Sequence, residues 1–103
     1  MTQYDVYGIG NALVDMAYSV DDKFLIENDV AKGHMTLVDR LRMERLISSL
    51  GELVPERACG GSAANTIFAV RGFGGQAYYS CRVSNDSTGN YFVSEMRDAG
   101  IMT

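Results

Sequence analysis

The chain is poor in the residues from which dedicated reactive sites are most often built. Its 103 residues include one histidine, His34, two cysteines, Cys59 and Cys81, and one proline, Pro55. The cysteines are not in CxxC spacing, and His34 stands at no recognisable ligand spacing from either. A metal site or a dithiol redox motif is therefore not expected. Each cysteine lies among apolar or small neighbours, which suits a buried thiol in a reducing compartment. Basic residues are sparse as well. The formal net charge is −4, and Arg40, Arg42 and Arg45 are interrupted by Leu41, Met43 and Glu44. A protein that grips phosphate backbones needs a denser basic surface, so nucleic acid is not an expected partner. No apolar run approaches the ~20 residues of a membrane span. The opening residues lack a basic stretch followed by an apolar one, so no secretory signal is expected. A cytoplasmic protein without a membrane partner is the resulting expectation.

What is present is typical of a globular α/β protein. Hydrophobic residues make up 47% and charged residues 21%, which argues against disorder. Tyr4 to Ile9 predicts a strand ending at Gly8-Ile9-Gly10. The loose alternation of Leu13, Val14, Met16, Tyr18 and Val20 suits a second strand or ribbon over 12–20. Asp21 can cap a short helix closed by Asn28, and residues 35–38 read as a brief strand. Asp39 caps a helix whose Met43, Leu46, Ile47 and Leu50 share one face, with Gly51 and Pro55 ending it. Cys59 to Ser62 reads as a flexible elbow, Ala63 to Phe73 as a small-residue helix, and Ala77 to Val83 as an alternating strand. Asp86 then caps a last helix with Gly100 just past its end. Ile101 could open a further strand. A parallel sheet needs helices on both faces, and this cover is thin, so the chain is expected to be a fragment.

Three places could carry chemistry. Gly8-x-Gly10 after a strand invites a dinucleotide-binding reading, but Leu13 stands where the third glycine belongs and a strand follows instead of a helix. That reading is rejected. Gly60-Gly61-Ser62-Ala63-Ala64-Asn65 is the stronger feature. Two glycines at a helix entry let another molecule approach the backbone, and the first-turn N–H groups have no partner within the helix. Ser62 and Asn65 add polar groups three residues apart. The same corner is also consistent with a plain helix start, in which Ser62 is the cap and Asn65 is exposed. Asp15 is the third place, a carboxylate in an apolar stretch after a glycine-rich turn. It could accept hydrogen bonds from two adjacent hydroxyls, or simply face solvent on a half-exposed strand. Asn11 is open to both a turn role and a polar contact.

Taken together, these residues resemble the ribokinase/adenosine kinase (PfkB) family. Gly8-Ile-Gly-Asn11-Ala-Leu-Val-Asp15 is similar to the family's first strand and substrate-binding Asp. Gly60-Gly61-Ser62-Ala63-Ala64-Asn65 is similar to its first signature, and Ser84-Asn85-Asp86-Ser87-Thr88-Gly89 to its G-x-D-x-x-G element. Ile67 and Ser84 depart from the family's small residue and glycine, and both bear on packing. The resemblance implies a ribokinase-like, Rossmann-like three-layer fold with a small β lid, present here over 1–103 as the N-terminal portion of one domain. The lid strands would lie at about 12–20 and 35–38. It implies that Asp15 holds ribose hydroxyls, that Gly60, Gly61, Ser62 and Asn65 form the sugar corner, and that Asn11 supports them.

The implied reaction moves the γ-phosphoryl group of ATP, with Mg²⁺, to a primary hydroxyl of an adenosine-like nucleoside or a sugar. Members of the family do this with a later G-A-G-D segment that these residues do not contain. No catalytic, ATP-binding or metal-binding residue is therefore expected in this chain, which alone should be inactive. Dimerisation through the lid is a further implication. The alternative is a non-catalytic fragment that binds a sugar or nucleoside, or assembles through its lid. Adenosine, ribose and fructose are not distinguished by these residues.

Overall fold

The computed structural model describes residues 3–103. Its elements run in the order β1 (Val6–Ile9), β2 (Leu13–Ala17), α1 (Asp22–Glu27), α2 (Arg40–Leu50), β3 (Glu56–Gly60), α3 (Ser62–Gly72), β4 (Ala77–Ser80) and α4 (Ser87–Asp98). Two compact units result. One joins the residues up to Met16 to Arg57–Thr103, and the other is Ala17–Glu56.

In the first unit β1 pairs in parallel with β4, Val6 opposite Ala77 and Ile9 opposite Ser80. The connection between parallel strands must cross a face of the sheet, and α3 lies within it. Inward-facing Ala77 and Tyr79 of β4 are buried with Ala64 and Ile67 of α3, Phe92 and Met96 of α4, and Ile101. Alternation along β4 therefore does what the sequence pattern requires. The glycine pair of β1 has a packing role. A Cβ at Gly8 would come within 2.9 Å of the Ile67 side chain. One at Gly10 would run into the Tyr79 hydroxyl and approach the Ala63 methyl at 2.9 Å. Those positions stay bare so that α3 and Tyr79 can close on the strand. On the opposite face Tyr7 stacks on Tyr78 at 4.8 Å and 6°, while Tyr7 and Ile9 remain 58% and 76% exposed.

Both α3 and α4 end by one physical device. The Gly74 N–H donates to the Arg71 carbonyl and Gly75 to Val70, and at the next helix Gly100 donates to Arg97 and Ile101 to Met96. Each pair satisfies two carbonyls that the last turn leaves open. The chain then turns straight into β4 or, after α4, into a parallel bridge between Met102 and Tyr78. Of the further strand expected there, the described residues form this single bridge and no strand.

Ala17–Glu56 is built differently. Asp21 and Asp39 cap α1 and α2 as expected, accepting from the Phe24 and Arg42 amides at 2.9 and 2.8 Å. Neither helix contains a buried residue. Its ion pairs Lys23–Glu27, Lys32–Asp22 and Arg40–Glu44 are solvent-exposed, and such pairs contribute little. Three expectations need correction. Residues 35–38 form no strand. Met35 and Leu37 are 88% and 87% exposed, and an extended segment without a partner has no ladder to satisfy its backbone. Strand β2 likewise stops at Ala17 and does not reach Val20. The supposed elbow at Cys59 is the end of β3, which pairs with β2.

Arg71 braces the end of α3. Its Nε donates to the Ala99 carbonyl at 3.2 Å and its Nη1 to the Gly75 carbonyl at 3.4 Å. Arg71→Ala removes a charged donor from two carbonyls and is expected to destabilise the chain by about 2 kcal/mol. A urea melt in which the midpoint does not fall would contradict this role.

Candidate functional site

The site is assembled where β1 and β2 meet the start of α3. Strand β1 delivers Gly10 and Asn11, and β2 carries Leu13 and Asp15. The Gly60–Gly61 pair leads from β3 into α3. Gly61 is the helix N-cap, with φ of 97° and no side-chain cap. A positive φ favours glycine, and it explains why the corner does not use the expected serine cap. Ser62 instead begins the helix and is exposed, with its carbonyl accepting from the Thr66 hydroxyl at 2.9 Å. The first-turn amides of α3 consequently face out of the helix without a carbonyl partner inside it.

Gly10, Asn11, Leu13, Gly61, Ser62, Ala63 and Tyr79 line a cleft of about 330 Å³. Leu13 leans on the corner: a Cβ on Gly61 would sit 3.3 Å from its Cδ1. Asp15 is an exposed residue whose carboxylate lies against Gly60. A Cβ on that glycine would be 2.5 Å from Oδ2 and 2.9 Å from both Cγ and Oδ1. The absence of a side chain at position 60 therefore makes room for a carboxylate. Asn11, Gly61 and Ser62 are brought to one cleft, and Asp15 and Gly60 into mutual contact.

Asn65 is placed differently. It lines a separate cleft of about 270 Å³ with Arg57, Ala58, Cys59, Phe68 and Glu95. Three residues advance a helix by about 300°, so Asn65 is rotated from Ser62 by about 60°, which is sufficient for the two to open on different clefts. Sequence reasoning missed two residues of the first cleft. Leu13 and Tyr79 both read as ordinary strand positions. Tyr79 is fully buried, yet its hydroxyl donates to the Asn11 carbonyl at 2.9 Å.

The Ser84–Gly89 element is a helix start. The Asp86 carboxylate accepts from the Gly89 amide at 2.7 Å, and a Cβ on Gly89 would collide with the Ser84 carbonyl. Aspartate and glycine at this spacing thus build a cap. Among the described residues no cluster of three metal-ligating side chains occurs. No helix among them is long and apolar enough to cross a membrane.

Among solved structures, the chain is 40% identical to a probable sugar kinase from Rhizobium etli CFN 42, with a TM-score of 0.76 over 99% of this chain and 30% of that one. It is also 40% identical to an adenosine kinase from Sinorhizobium meliloti, with a TM-score of 0.74 over 98% of this chain and 30% of that one. These residues have the ribokinase-like fold of that probable sugar kinase and adenosine kinase. An adenosine kinase from Schistosoma mansoni in complex with adenosine and AMP is 19% identical, with a TM-score of 0.79 over 100% of this chain and 32% of that one. At that identity the likeness speaks for the ribokinase-like fold alone. No family model and no curated relative matches the chain. The chain spans about 30% of the length of these kinase structures.

Burial raises the pKa of Cys59, Tyr79, Cys81 and Tyr91 in the first unit. Cys59 is pushed up by desolvation, then by Glu95 and Cys81. Tyr79 is pushed up by desolvation, then by Cys81, and Cys81 by desolvation alone. A folded-state pKa above the unfolded value means stability that is complete at lower pH and lost as the group ionises. The urea midpoint is therefore expected to fall as pH rises above about 8.5 for the thiols and about 10 for the Tyr79 phenol. A midpoint flat across that range would contradict the shifts. A second expectation concerns the corner. Gly60→Ala pushes the Asp15 carboxylate off the backbone and costs about 1 kcal/mol. The carboxyl ¹³C resonance of Asp15 reads the displacement, and an unmoved resonance would show that the methyl is accommodated elsewhere.

Proposed function

We propose that this chain supplies the hydroxyl-gripping part of a kinase that phosphorylates a primary hydroxyl of an adenosine-like nucleoside or a sugar. The observation that carries the proposal is the Asp15 carboxylate set against bare Gly60, next to a cleft lined by Asn11, Gly61 and Ser62. A carboxylate accepts from two neighbouring hydroxyls at once, and charge-assisted bonds of this kind are short and strong. The first-turn amides of α3 and the Ser62 hydroxyl supply donors at the neighbouring cleft. A vicinal diol has both donors and acceptors and answers both sides. Asn65 opens on the other cleft, so its amide is not part of this grip. The 40% identity to a probable sugar kinase and to an adenosine kinase points to the same substrate class.

Phosphoryl transfer needs a base at the hydroxyl and donors around the transferring group. In this proposal those groups, with the sites for ATP and Mg²⁺, come from parts of the kinase fold outside these residues. What this chain contributes is orientation: it fixes the sugar ring so that its primary hydroxyl points away from Asp15. A homodimer through the lid segment at 12–20 and 35–38 and a cytoplasmic setting complete the reading. The alternative, an assembly fragment without a ligand, is favoured by the exposed Met35, Leu37 and Val54, the last 88% exposed.

The test is titration of the chain with adenosine and with ribose by isothermal calorimetry, beside Asp15→Asn and Asn65→Ala. Removing the charge at position 15 is expected to weaken binding by about ten-fold or more, in line with ~1.5–3 kcal/mol for a charged hydrogen bond. Asn65→Ala is expected to cost less. Equal affinity in the chain and in Asp15→Asn would refute the assignment, and absence of any heat with either ligand would favour the assembly reading.

A further inference from the structure

We propose that Tyr79 is a positioning residue for the substrate cleft, its phenolic hydroxyl holding the β1–β2 connection, and with it Asn11 and Asp15, in place from inside the core. The inference rests on the reading of Asn11 and Asp15 as substrate contacts. The ring of Tyr79 is fully buried in the core, tilted against Phe92 with centroids 6.3 Å apart. Phenylalanine would fill that space as well. The hydroxyl is the surplus group, and a hydroxyl taken out of water is costly unless it finds a partner. It finds the Asn11 carbonyl at 2.9 Å.

That carbonyl belongs to the short connection between β1 and β2. The connection is also tied by the Gly10 amide, which donates to the Ser80 carbonyl at 3.2 Å. Neighbouring residues of β4 thus hold neighbouring residues of the connection, one through backbone and one through a side chain. Strand β2 begins two residues after Asn11 and carries Asp15. An error in the direction of the chain at Asn11 is therefore passed along β2 to the carboxylate. Gly10 is part of the same arrangement, because any Cβ there would strike the phenol oxygen. Burial also raises the Tyr79 pKa, so the hydroxyl keeps its proton, and its role as donor, throughout the neutral range.

Tyr79→Phe tests this in the full chain, with two readouts. Adenosine and ribose affinity is expected to fall roughly three- to ten-fold, the loss of one neutral hydrogen bond. By NMR, the Asn11 carbonyl ¹³C resonance should shift and the amides of residues 11–13 become more mobile, while the core amides of Ile67 and Phe92 keep their hydrogen-exchange protection. Gly10→Ala, which drives a methyl into the phenol oxygen, should shift the same carbonyl. If the Asn11 carbonyl and the 11–13 amides are unchanged in Tyr79→Phe, the proposal is overturned. It is equally overturned if ligand affinity is unchanged, or if protection falls uniformly through the core, as a purely structural role requires. Should the unaltered chain bind neither ligand, the substrate reading fails, and the carbonyl shift and amide mobility alone decide whether Tyr79 positions the connection.

Discussion

Everything in the β1–α3–β4 unit depends on how closely α3 and Tyr79 can approach β1. The limit is set by two missing side chains. At Gly8 the space of a Cβ is taken by Ile67, and at Gly10 by the Tyr79 hydroxyl and the Ala63 methyl. Interiors pack at near-crystalline density, so a single methyl at either place would force helix and strand apart. Overpacking of this kind typically costs about 1–3 kcal/mol. The displacement would not remain local. The first turn of α3 carries Ser62, the connection after β1 carries Asn11, and both line the cleft. The glycines that seemed to invite a dinucleotide are spacers for a helix, and the spacing they set is what shapes the cleft.

The two units stand in different energetic positions. Among the described residues, the buried ones all belong to the first unit. There α3 and α4 gain their stability from packing, as short helices must. In Ala17–Glu56, α1 and α2 rely on aspartate caps worth about 1 kcal/mol each and on exposed ion pairs worth less. Their apolar stripe from Met43 to Leu50 is amphipathic as the sequence indicated, yet Met43 and Ile47 remain 45% and 42% exposed. Elements with few buried contacts open at low free energy. A segment of that character is suited to moving while the core stays still.

Much of this was legible in the residues, and the reason differs from place to place. Capping chemistry is local, so Asp21, Asp39, Asp86 and Gly100 could be assigned from their neighbours alone. The alternation of Ala77 and Tyr79 is likewise local and gave the buried strand. The glycine and serine spacing located the corner at α3, whereas Asn65 opens on a separate cleft. What could not be read is what depends on partners distant in sequence. Whether residues 35–38 form a strand depends on a neighbour to pair with, not on their β propensity. Whether Cys59 lies in an elbow or a strand depended on β2, over forty residues away. Ser62 looked like a cap because serine commonly is one, but the positive φ at Gly61 moved the cap back by one residue. The Tyr79 hydroxyl could not be assigned at all, since its acceptor is a backbone carbonyl 68 positions earlier.

The same long-range tie explains how a carboxylate on a weak element keeps a fixed position. Strand β2 belongs to a two-stranded sheet with β3, and a sheet of two strands is marginal by itself in water. Asp15 is exposed on it, so no burial of its own side chain holds it in place. Position must be lent by the core. Ala12 and Val14, on either side of Leu13, pack against the buried cluster. Leu13, between them, leans on Gly61, and the connection ahead of the strand is bonded to β4 twice. With alternate residues turned inward, Asp15 falls on the outward register beside bare Gly60, where it meets solvent but cannot wander far. The rigidity of the Asp15 position therefore comes from its neighbours in the chain, and the side chain itself remains solvated.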